Sequence, residues 1–122
     1  MGKFLLECGM GVDLHGQDLT KASKKAVQHA ISNSCMCGLS DALKNAGANS
    51  RVVINVTIGA PRPEEVDTEV VASALVNGME AHVQVVKGGL TTNGVYWPSL
   101  GDRDETVEIC VAAVEVNVVA GE

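Results

Sequence analysis

The stretch that most restricts the fold is the last apolar run, Thr106 to Val119. Its side chains alternate, with Val107, Ile109 and Val111 on one face and Val114, Val116 and Val118 on the other. This period of two predicts one long strand. The apolar set changes face at Ala112-Ala113, so a bulge is expected there. Because both faces carry valines, such a strand needs cover on both sides.

Other segments supply the neighbours. Arg51 to Gly59 alternates cleanly, with Val52, Ile54, Val56 and Ile58 on one face. Lys3 to Cys8 and Glu80 to Lys87 read as further strands. The chain of 122 residues has nineteen valines but only one Phe, one Tyr and one Trp, so its core is aliphatic. Leu19, Ala22, Ala26, Ala30 and Ile31 recur at helical spacing, which predicts a helix from Gln17 or Asp18 to about Ser34. Asp18 suits its N-cap. A shorter helix is expected from Asp41 to about Ala46, and another from Glu64 to about Val76 with Asp67 as a possible cap. Leu90 to Leu100, which holds Tyr96 and Trp97, is looser, and a hairpin is expected around it.

This order predicts an α+β fold. One domain spans residues 1–122, with a mostly antiparallel or mixed sheet of four to five strands and two to three helices packed on one face. Two-sided valine strands exceed what those helices cover, so a homo-oligomer is expected. A formal net charge of −6 argues against nucleic acid as a partner. No run approaches a membrane span and no secretory leader is visible, so the expected location is cytoplasmic, away from membranes. Cys8, Cys35, Cys37 and Cys110 then read as free, mostly buried thiols.

Candidate chemistry concentrates in Cys8 to Gly16. Gly9, Gly11 and Gly16 suggest a tight loop that something can approach closely. Asp13 and His15 lie two residues apart. Asp13 could orient His15 as a general acid or base; the pair could chelate a metal with a third ligand; or Asp13 could merely cap a turn. Amides at the start of the following helix could hold an anion. Arg62, between Pro61 and Pro63, could anchor a carboxylate. His29 reads as a half-buried structural residue and His82 as exposed.

The pattern Gly9-x-Gly11-x-Asp13-x-His15-Gly16 resembles the hallmark of a family of small conserved hypothetical proteins. The resemblance extends through Gln17-Asp18-Leu19-Thr20-Lys21-Ala22, Ala30-Ile31-Ser32, Pro63-Glu64-Glu65-Val66-Asp67, Gly88-Gly89-Leu90 and Leu100-Gly101-Asp102. The chain departs from that pattern at Cys37, where proline is common, and between Thr91 and Tyr96. The resemblance implies a functional site at the glycine segment and supplies no reaction.

The expected function is a small-molecule enzyme of acid–base or hydrolytic type, such as a hydrolase, cyclase or isomerase that needs no cofactor. Its catalytic residues would be His15 and Asp13. Gly9, Gly11, Gly16 and Arg62 would bind a small polar or anionic metabolite, with no resident metal. The alternative is a non-catalytic homo-oligomer that binds a metabolite or metal.

Overall fold

A computed structural model describes residues 2–32, 44–75 and 80–120. The strands are β1 (Gly2–Asp13), β2 (Arg51–Ala60), β3 (Glu80–Lys87), β4 (Leu90–Asn93) and β5 (Thr106–Val119). The helices are α1 (Leu19–Ser32) and α2 (Thr68–Ala72), with 3-10 turns at Pro63–Glu65 and Pro98–Leu100. Residues 44–46 are also helical; the rest of the expected Asp41–Ala46 helix, and Cys35 and Cys37, lie outside the described residues.

The sheet is mixed, in the order β1-β5-β2-β3. β5 runs antiparallel to β1 and β2, and β3 runs parallel to β2. β4 pairs with the first residues of β5, Leu90 opposite Ile109, beyond the end of β2. The longest strand thus lies inside the sheet, paired on both edges. The fold is α+β, as its element order implies.

The register runs unbroken through Ala112 and Ala113, so no bulge sits there. The one shift in β1–β5 pairing falls between Lys3 and Leu5. The even residues Cys110, Ala112, Val114 and Val116 all face the core. The apparent slip arises because the core face of β5 begins with a carboxylate, Glu108, while Ile109 and Val111 on the opposite face are apolar.

α1 and α2 pack on the same face of the sheet. Leu19, Ala22, Ala26, Val27 and Ala30 form the buried side of α1. They meet Val52, Ile54, Val56 and Ile58 of β2 and the even residues of β5. Full burial of Leu19 and Val27 stabilises the fold by about 2 kcal/mol each. The expected helix from Glu64 is split. A 3-10 turn and the extended residues Val66 and Asp67 precede α2, because Asp67 turns its carboxylate onto the amides of Glu69 and Val70 and starts the helix there.

β1 continues to Asp13, so Gly9 and Gly11 belong to a strand rather than a loop. The reason is packing. A Cβ on Gly11 would stand 2.0 Å from the carbonyl oxygen of Ala22, and one on Gly9 would stand 2.3 Å from that of Ala26. Two glycines on the strand and three alanines on the helix bring the two backbones into contact.

Candidate functional site

The polypeptide leaves the sheet at Asp13 and turns through Leu14, His15, Gly16 and Gln17 before α1 begins. Gly16 (φ 99°) and Gln17 (φ 50°) both have left-handed backbones. Asp13 and His15 take different partners around this double bend. The Asp13 carboxylate turns inward and accepts from the amide of Asp18 at 2.8 Å, while Lys21 Nζ lies 3.5 Å from its other oxygen. Asp18 in turn accepts from the amide of Lys21. Asp13 therefore serves as turn cap and not as the partner of His15. Of the helix-start amides expected to hold an anion, that of Asp18 is taken by Asp13, and the Lys21 amide just beyond them by Asp18.

The partner of His15 is Asp102, 87 residues later, with Nδ1 and Oδ2 2.6 Å apart. A carboxylate only accepts, so Nδ1 carries the proton and Nε2 is the ring atom left for chemistry. Asp102 is 7% exposed. Its other donors are the amide of Gly16 at 2.7 Å, the side chain of Gln17 at 3.1 Å and the amide of Trp97 at 2.9 Å. Burial pushes its carboxyl pKa up, but the bonds from His15, Trp97, Gly16 and Gln17 outweigh that and hold it far below the ordinary range. Asp102 is a fixed anion behind the imidazole.

Gln17 joins the two segments. Its amide nitrogen donates to Asp102 and to the carbonyl of Thr106, and its amide oxygen accepts from the backbone of Arg103. Neither Asp102 nor Gln17 was identified from the sequence as chemistry. Both fall within segments that carry the family resemblance, Leu100-Gly101-Asp102 and Gln17-Asp18-Leu19, but no local spacing links positions so far apart.

A cavity of about 510 Å³ opens in front, lined by Val12, Asp13, Leu14, His15, Lys21, Lys25 and Leu100. Two lysines one helical turn apart give it a cationic wall. Lys25 Nζ also donates to the carbonyl of Val12.

The chain has a clear relationship to known sequences. A family model of conserved hypothetical proteins matches residues 3–116. The chain belongs to Lin0512_fam. A similar solved structure is an FtsZ-like protein of unknown function from Nostoc punctiforme. It is 31% identical, with a TM-score of 0.82, over 98% of this chain and 96% of that one. No curated protein matches.

The remaining candidates of this Lin0512_fam chain lie elsewhere. Arg62 does not line the His15 cavity; its guanidinium binds Glu65 and lies 3.3 Å from the buried Glu108, whose carboxylate also accepts from Thr91. The Glu65 bond raises the Arg62 pKa; burial opposes this and the charge of Glu108 adds to it. Two carboxylates thus occupy the proposed anchor. The Gly16 amide is spent on Asp102. His29 is exposed, not half-buried, and its Nδ1 accepts from the amide of Met10. His82 is exposed beside Glu80. Cys110 is buried, and burial raises its thiol pKa, whereas Cys8 is exposed, contrary to expectation. Among the described residues no three His, Cys, Asp or Glu side chains converge as a metal site, so the Asp13–His15 chelate has no third ligand there. No helix among them is long and apolar enough to cross a membrane.

Proposed function

We propose that the chain is a small-molecule enzyme whose acid–base group is His15, acting on a polar, anionic metabolite in the cavity beside Lys21 and Lys25. The observation that carries this reading is the 2.6 Å contact between His15 and the buried Asp102. Asp102 keeps the imidazole in one tautomer and one orientation. Nε2 then takes a proton from the substrate or an activated water and returns it to the leaving atom. Lys21 and Lys25 draw the anion in and fix its charged end. Such chemistry suits hydrolysis, cyclisation or isomerisation and needs no cofactor. Gly9, Gly11 and Arg62 have structural roles in this reading, and Gly16 acts through Asp102.

The test is a melting-shift screen of anionic metabolites and divalent metal ions on the wild type and on His15→Asn. An anionic compound should raise the wild-type melting temperature, and its turnover should fall about 10²- to 10⁴-fold in His15→Asn. Binding with no turnover in either protein would favour the binding module. A shift given by metal ions alone, and lost in His15→Asn, would favour a metal site. No shift from any compound would remove the site as a binding site for that library.

A further inference from the structure

The cavity in front of His15 draws its charge and its apolar lining from different elements. Its cations, Lys21 and Lys25, both stand on α1. Asp13 also lines it, with its carboxylate occupied by the Asp18 amide and by Lys21. The apolar lining comes from Val12 at the end of β1, Leu14 in the turn that follows, and Leu100 at the end of the 3-10 turn Pro98–Leu100. Leu14 is 60% exposed and Leu100 54%. One exposed leucine carries no meaning, since every protein surface has some. Two that line one concavity, from segments far apart in sequence, belong to the design of the site. Both are also held in place. Leu14 stands between Asp13, fixed on the Asp18 amide, and His15, fixed on Asp102. The turn that carries Leu100 hangs from the same carboxylate. The Trp97 amide donates to Asp102 Oδ2, the oxygen that also bonds His15, and the Leu100 amide donates to the Trp97 carbonyl at 3.0 Å. Pro98 stiffens the backbone between them. The bonds that orient the imidazole therefore also present the two leucines.

We infer that the substrate is an amphiphilic anion, a small acid whose charged group meets Lys21 and Lys25 and whose hydrocarbon body lies on Leu14 and Leu100. This rests on the reading of the cavity as the site of His15 chemistry and names the class of molecule that it takes. Small-molecule pockets are mostly apolar with a few convergent polar groups, and about 510 Å³ lies within their usual range. A hydroxylated acid of the same charge satisfies the lysines equally well. Its hydroxyls, however, lose water against the two leucines and gain no partner there. A hydrocarbon body removes apolar surface from water on both sides of the contact. The lysines thus select for charge, and the leucines select among anions.

Calorimetric titration with acetate, butyrate, hexanoate and octanoate tests this, with gluconate as a hydroxylated acid of the same charge. Wild-type affinity should rise about twofold for each added methylene, half the free energy of a fully buried one, and hexanoate should bind more tightly than gluconate. In the double variant Leu14→Ser, Leu100→Ser the gradient should flatten, with circular dichroism unchanged because both side chains are exposed. Lys21→Gln should weaken every acid by a similar factor and leave the gradient in place. A gradient that survives the double variant would put the hydrocarbon on another surface, such as the sheet face opposite α1, and would overturn the inference. So would equal affinity along the series, or tighter binding of gluconate. If Lys21→Gln still weakened binding in that case, the anion site beside His15 would stand and only its apolar half would fall. No binding of any acid would overturn both the inference and the anionic reading of the cavity.

Discussion

His15 and Asp102 meet at 2.6 Å although 87 residues separate them. The contact joins the end of β1 to the turn that leads into β5, two segments that the antiparallel pairing of Asp13 with Glu108 brings side by side. The carboxylate is satisfied from several directions by backbone and side-chain donors, so its charge is built into the turn.

This fixes a pH dependence. The folded pKa of Asp102 is depressed, so its contribution to stability is full above the unfolded carboxylate value, about 3.9, and is lost as pH falls through that value towards the lower folded one. Wild-type stability should hold at neutral pH and fall steeply below about pH 4. Asp102→Asn should melt lower at pH 7 and show a flatter acid limb. Melting curves across pH check this; parallel limbs for the two proteins would refute it.

Gln17 sits in a left-handed conformation that costs a non-glycine residue about 1 kcal/mol. Gln17→Gly removes that strain but also removes the bonds to Asp102, Thr106 and Arg103. The lost bonds should win, giving a net loss of about 2 kcal/mol by chemical denaturation. A stabilised variant would show that the side chain is not the brace described.

Gly11→Ala should destabilise the fold by about 3 kcal/mol, because its Cβ meets helix backbone at Ala22 and Ala26 and not a movable side chain. Urea unfolding measures it. A loss under about 0.5 kcal/mol would mean that α1 lifts off the strand at little cost.

Lys21→Gln and Lys25→Gln should each weaken binding of an anionic ligand about fivefold, the worth of one solvent-screened charge near contact distance. Added salt should reproduce part of the loss in the wild type. Calorimetry with any compound found by melting shift measures both effects. Unchanged affinity in both variants would take the lysines out of the site.

The legible part of this chain was whatever has a local period. Glu80–Lys87 and Thr106–Val119 lie where alternation puts them, and α1 follows its alanine stripe. Asp67 caps its helix as a carboxylate before a helix should. What failed was the meaning of glycine and of proximity. Gly9 and Gly11 signal close approach, but what approaches is the chain's own helix, a contact set by tertiary packing. Asp13 and His15 are neighbours in sequence, yet each bonds to a different partner, Asp13 to the Asp18 amide and His15 to Asp102. His15 was legible as a candidate; its partner Asp102 depends on β1–β5 pairing, which no short spacing records.

That difference gives the most discriminating pair of variants. Asp13→Asn keeps an oxygen to accept from the Asp18 amide. It also removes one of two like charges directly opposed across β1 and β5, since Asp13 pairs with Glu108 and both are buried. Its stability should therefore change by less than about 1 kcal/mol, and any turnover that depends on His15 should persist within about tenfold. Asp102→Asn keeps an acceptor too, but an amide cannot hold the imidazolium, and turnover should fall about 10²-fold or more while ligand affinity changes little. If Asp13→Asn instead abolished turnover and Asp102→Asn did not, the acid–base pair would be Asp13 with His15 after a movement of the turn, and the buried aspartate would be a structural clamp.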